Sequence, residues 1–221
     1  LPIIVGTSHT GTETTADLTK MAERQGATAC MIAPSKQATP SDQTIFDYYS
    51  RVREKTSLPI IVQDHPGVTE VHMTIDLLCK IVNEVPDIAG IKAESVPSPQ
   101  KIYHLKEALK NGKQVPVLPG LGALYSYFDL EAGSDGFNTG FSFPEILVAM
   151  TRANLVGDIA EVLRIYTKFL PLLVFEKQPG LAIRKEILNA RGLLASNRVR
   201  HPGGAIDPFT RDQVHRIVNS V

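Results

Sequence analysis

The pentapeptide Leu1-Pro2-Ile3-Ile4-Val5 recurs letter for letter at Leu58-Pro59-Ile60-Ile61-Val62, and Val115-Pro116-Val117-Leu118-Pro119 echoes it. The three starts lie 57 residues apart. A fixed period signals repeated supersecondary units. Each interval holds one further apolar run, Ala27 to Ala33 in the first and Ile88 to Ile91 in the second. Short, continuous apolar runs suit strands buried on both faces of a parallel sheet.

Amphipathic patterns fill the gaps between these runs. Helices are expected over residues 12–25, 41–55, 69–84 and 98–111, the first and last of them ending at Gly26 and Gly112. A shorter helix is expected over residues 121–130, then a sixth apolar run, Asp135 to Gly140, and a helix over 144–156. Strictly alternating β and α segments imply a parallel sheet, either open and doubly wound or closed as a (β/α)8 barrel. The open sheet would need a glycine-rich dinucleotide loop. Gly6 stands alone after the first strand, and Gly120-Leu121-Gly122 lacks the third glycine. The expectation is therefore a (β/α)8 TIM barrel. Six units are visible, so the first two, on the order of 60–90 residues, are expected to precede Leu1. Residues 1–157 would be units three to eight. Residues 158–221, with helical patterns over 158–175, 181–191 and 211–221, would be a C-terminal helical extension of the same domain.

Charge and cysteine content narrow the partners. Twenty-three basic residues balance twenty-three acidic ones, without a basic run, which argues against nucleic acid or an anionic membrane. No apolar run reaches the length of a membrane span. Cys30 and Cys79 both read as core positions, which suits a reduced, cytoplasmic compartment.

In barrels of this kind the site gathers at the C-terminal ends of the strands. The most informative end is Ile88-Ala89-Gly90-Ile91-Lys92-Ala93-Glu94. Alternation puts Lys92 and Glu94 on one face. Desolvation disfavours a charged lysine, and a neutral amine can attack a ketone to form a Schiff base. The plainer alternative is a surface lysine paired with Glu94 on an edge strand. Gln63, His65, Gly120 and Thr139 stand at other strand ends and are candidate substrate contacts. Asp64 should point away from the site and be structural. His9, His72, His104, His201 and His215 carry no metal spacing, and Schiff-base chemistry needs neither metal nor cofactor.

These residues resemble the dihydrodipicolinate synthase/N-acetylneuraminate lyase superfamily of class I aldolases and dehydratases. The resemblance begins at what would be its third strand and covers nearly the whole chain. It rests on the Lys92 strand, the Pro66-terminated motif on the preceding strand and the helical tail. Many members carry Tyr-Asn-x-Pro where this chain reads Gln63-Asp64-His65-Pro66, and an amide cannot replace a phenol as acid or base. The family's paired-threonine loop, which holds the substrate carboxylate, would lie before Leu1. Gln63 and the order Lys92-Ala93-Glu94 are similar to the branch acting on 2-keto-3-deoxy sugar acids such as 2-keto-3-deoxyarabonate. The resemblance thus implies a lyase that dehydrates such an acid, with Lys92 as nucleophile and Glu94 as base, assembled as a homotetramer. A pyruvate-dependent aldolase of the same superfamily and a non-catalytic keto-acid-binding barrel are the alternatives.

Overall fold

The computed structural model describes residues 1–36, 41–178 and 180–221. They form two compact units, residues 1–119 with 132–135, and residues 120–131 with 136–221.

The first unit is a five-stranded parallel sheet whose strands lie in chain order. They are β1 (Ile4–Gly6), β2 (Ala29–Ile32), β3 (Ile60–Asp64), β4 (Ile88–Ala93) and β5 (Val117–Pro119). The helices are α1 (Thr12–Arg24), α2 (Asp42–Lys55), α3 (Pro66–Thr69), α4 (Ile75–Glu84) and α5 (Ser98–Leu109). Ser41 caps α2 by accepting from Thr44 N, and Thr74 caps α4 by accepting from Leu77 N. One face of the sheet packs on the helices. Cys30, Ile32, Ile60, Val62, Ile91, Ala93 and Val117 meet Val52, Leu78, Ile81, Ile102 and Leu105 there. Removing these side chains from water is the main stabilising contribution.

Two expectations fail. The helix expected over 69–84 is broken. Glu70 adopts a left-handed conformation (φ 57°) that ends α3, and the chain becomes helical again only after Thr74. The sixth apolar run forms no strand. Asp135 supplies a substitute, donating its N–H to Val117 O at 3.0 Å and accepting Val117 N–H through Oδ2 at 2.8 Å. A side chain thus occupies a position that a regular ladder gives to backbone.

Strand β4 carries a bulge. Ile60 is opposite Ile88 and Ile61 is opposite Gly90, so Ala89 is skipped. Strict alternation from Ile88 would send Gly90, Lys92 and Glu94 into the helix-packed core. The extra residue lets Ile88, Ile91 and Ala93 share that core. Lys92 is then opposite Gln63, on the other face of the sheet.

The second unit is helical: a 3-10 turn Leu121–Ala123, then α6 (Ser126–Glu131), α7 (Pro144–Leu155), α8 (Ile159–Phe175), α9 (Leu181–Ala190) and α10 (Pro208–Val218). Its core gathers Met150, Val162, Phe169, Leu172, Ile183, Ile187 and Val214. Pro208 and Asp207 at the start of α10 explain why it begins before the expected Arg211: Asp207 accepts from Thr210 N. No described helix is long and apolar enough to cross a membrane.

Glu186 anchors α9. Only 6% exposed, it accepts from Asn197 Nδ2 at 2.7 Å and lies 3.2 Å from Arg211 Nε and 3.3 Å from His215 Nε2. Burial pushes its carboxyl up, but the Asn197 hydrogen bond and the Arg211 charge outweigh that and leave it below the usual carboxylate range. A depressed folded value means stability present above the unfolded value and lost as pH falls through the folded one. Glu186→Gln should therefore cost about 1–3 kcal/mol at neutral pH. The gap to the unaltered protein should close in acid, where Glu186 is itself neutral. Urea unfolding at both pH values checks this.

Candidate active site

The first unit brings four of the six expected residues to the C-terminal ends of β3 and β4. Lys92 is half-buried on β4, and Glu94 follows the strand with 6% of its surface exposed. Lys92 Nζ lies 3.2 Å from Glu94 Oε2. Gln63 Nε2 donates to the same Oε2 at 2.7 Å. The backbone holds this arrangement. Gln63 is in register with Lys92, and Glu94 N donates to Asp64 O at 2.8 Å. Sequence alternation anticipated the Lys92–Glu94 pair but not the Gln63 contact, which joins side chains 31 positions apart.

His65 lies just beyond the strand. β3 ends at Asp64, and His65 takes the cap position of α3 at φ −130° and ψ 70°. Its carbonyl accepts from Val68 N and Thr69 N, both at 3.0 Å. The cause is Pro66, which starts α3 and steers the preceding residue away from helical angles. The His65 ring is half-buried against the glycine that follows; a Cβ on Gly67 would sit 3.5 Å from Cε1. Its Nδ1 is buried without a hydrogen-bond partner among the described residues.

Asp64 lies on the opposite face of β3 from Gln63 and is fully buried, in keeping with the expected structural role. Burial pushes its carboxyl up, opposed by Lys101. Lys101 Nζ, from α5, lies 2.5 Å from Asp64 Oδ2 and donates to Met73 O at 2.7 Å. Nothing in the helical pattern over 98–111 singles Lys101 out.

The remaining two expected residues belong to the second unit. Gly120 (φ −115°, ψ −116°) precedes a tight turn in which Leu121, Gly122 and Ala123 all have positive φ. Its carbonyl accepts from Ala123 N at 2.9 Å. Thr139 is half-buried and borders a cleft of about 410 Å³ with Phe137, Leu147, Val148 and Arg152. Behind it, buried Glu176 accepts from Ser142 N at 3.1 Å and pairs with Arg184. A Cβ on Gly140 would lie 2.6 Å from Arg184 Nη1, so a side chain there would displace the flexible end of Arg184.

A half-buried amine beside a carboxylate, with a fixed amide donor on that carboxylate, can form a carbinolamine and pass protons within one hydrogen-bonded group. Known proteins sharpen this. The model of the dihydrodipicolinate synthetase family matches residues 1–221. The chain is 30% identical over 220 residues to L-2-keto-3-deoxyarabonate dehydratase of Azospirillum brasilense, covering 97% of this chain and 70% of that protein. It is 27% identical to 4-hydroxy-tetrahydrodipicolinate synthase of Phocaeicola vulgatus, covering all of this chain and 74% of that one. The crystal structure of dihydrodipicolinate synthase from Rhodopseudomonas palustris superposes with a TM-score of 0.92 at 30% identity, over the whole chain and 75% of the other. The fold is thus the α/β fold of the family's TIM-barrel structures, a parallel sheet with C-terminal helices. The chain belongs to the dihydrodipicolinate synthetase family, a family of lyase-type enzymes.

Proposed function

We propose that this protein is a Schiff-base-forming dehydratase of a 2-keto-3-deoxy sugar acid, with L-2-keto-3-deoxyarabonate as its model substrate and 2-oxoglutarate semialdehyde as product. The observation that carries this reading is the convergence of Lys92 Nζ and Gln63 Nε2 on one oxygen of Glu94. It supports Glu94 as the acid/base group beside Lys92, in a site where the family resemblance implies a phenol on the neighbouring strand.

The steps follow from that geometry. Lys92 Nζ attacks the C2 ketone, and loss of water leaves a protonated imine that withdraws electrons from C3. Glu94 removes a C3 proton, giving the enamine. The enamine expels the C4 hydroxyl, which leaves as water after protonation from the same carboxyl. The resulting C3–C4 unsaturated imine loses a C5 proton and regains one at C3, giving a C4–C5 enol; its ketonisation and hydrolysis of the imine release the semialdehyde and regenerate Lys92. Gln63 keeps Glu94 oriented and, with His65, is a substrate contact in the first unit. On this reading residues 1–157 are the βα part and residues 158–221 the helical extension. The working form is a homo-oligomer, a tetramer by resemblance, acting in the cytoplasm on a small 2-keto acid.

The second reading is a pyruvate-dependent aldolase or synthase, favoured by the relatives that are 4-hydroxy-tetrahydrodipicolinate synthases. Substrate assays separate the two. Incubation with L-2-keto-3-deoxyarabonate should consume the acid and yield the semialdehyde without free pyruvate. Release of pyruvate with an equal amount of aldehyde would overturn dehydration in favour of cleavage.

A further inference from the structure

Asp64 makes two connections that meet on either side of one loop. Its carbonyl accepts the N–H of Glu94 at 2.8 Å, on one side of the β4–α5 connection. Its carboxylate lies 2.5 Å from Nζ of Lys101, on the first turn of α5 beyond it. The connection, Ser95 to Pro97, is therefore closed at both ends by a single residue of the neighbouring strand. Lys101 is held in turn by its hydrogen bond to Met73 O at 2.7 Å.

The arrangement is costly for a merely structural purpose. Asp64 is 0% exposed and its neighbours on that sheet face are apolar, Val62, Ile91 and Ala93 among them. A buried ion pair commonly contributes no more stability than well-packed apolar residues of the same volume. What apolar residues cannot supply is direction. A charge pair between β3 and α5 sets where α5 starts, and hence the path of the chain that carries Glu94. Gln63, the immediate neighbour of Asp64, points to the other face and meets the Glu94 side chain. One dipeptide thus holds Glu94 twice, by its backbone from Asp64 and by its carboxylate from Gln63.

We propose that Asp64, with Lys101 as its counter-ion, is a positioning residue that fixes Glu94 against Lys92 for proton transfer, without itself touching substrate. The proposal rests on the dehydratase reading. It deepens that reading by assigning the site a second layer of control behind the sheet.

The test uses the full-length protein and counts imine-forming sites by borohydride trapping with pyruvate. Turnover is then expressed per trapped site. Asp64→Asn keeps the shape and removes the charge. It should trap pyruvate at Lys92 as completely as the unaltered protein, with KM little changed. Its kcat per trapped site should fall about ten- to a hundredfold, as expected when a catalytic group is misplaced. Lys101→Gln should give the same loss, and Lys101→Arg, which keeps the charge, should restore most of it. Should Asp64→Asn fail to fold, the Lys101 pair of variants carries the test, since Lys101, unlike Asp64, is not fully buried. Turnover falling only in proportion to trapped sites would mean a plain structural role and overturn the proposal, as would unchanged kcat in a folded variant. Failure of the unaltered protein to form any imine is a separate outcome. It would refute the dehydratase reading itself, and this proposal with it.

Discussion

Lys92→Arg is expected to abolish borohydride trapping by pyruvate and to lower turnover by about 10⁴-fold or more, to the level that binding alone supports. Arginine is the informative replacement because it keeps a positive charge beside Glu94 while its guanidinium cannot form an imine at ordinary pH. Alanine would confuse two effects, since it also removes the Lys92 nitrogen that lies 3.2 Å from the buried Glu94. The melting temperature of Lys92→Arg should stay close to that of the unaltered protein. Mass spectrometry of the peptide spanning residues 88–101 after reduction reads the outcome directly. An adduct that persists in Lys92→Arg, or one that maps to another lysine, would remove the Schiff-base assignment.

Glu94→Gln is expected to separate imine formation from proton transfer. Glutamine keeps the volume and can still pair with Gln63 if one amide reverses, so the geometry at Lys92 is preserved. Trapping at Lys92 should therefore persist. Turnover should fall about 10²- to 10⁴-fold, the usual worth of a positioned acid or base. A second measurement isolates the C3 step. Pyruvate bound as an imine exchanges its methyl protons with solvent deuterium only if a base removes them, and the exchange seen by proton NMR should be lost in Glu94→Gln. Exchange at the unaltered rate would show that another group is the base.

The parallel sheet was legible because the strand motif recurs every 57 residues, and the Lys92–Glu94 pair because it follows from alternation within one strand. Period-two alternation needs no knowledge of the partner strand. What escaped depends on contacts between distant segments. The left-handed Glu70 that splits the expected third helix has no glycine to announce it. The sixth run pairs through the Asp135 side chain, although its composition reads as an ordinary strand. Gln63 looked like a substrate contact because it stands where relatives place a tyrosine, and its bond to Glu94 becomes visible only once β3 and β4 are in register. Lys101 was hidden for the same reason. Nothing local distinguishes a lysine on a solvated helix face from one that reaches under the helix to a buried aspartate.

The skipped residue in β4 bears on how sequences of this kind can be aligned. Between Ile88 and Ile91 the strand holds one residue more than a regular ladder requires. A relative one residue shorter in that interval would present its lysine and carboxylate to the same side, in a plain strand. A gap placed there is neutral for chemistry. The same gap between Ile91 and Glu94 would turn one of the two groups into the helix core. Length variation is therefore tolerated on one side of Ile91 and forbidden on the other, and an alignment that moves a gap across that residue changes the function it implies.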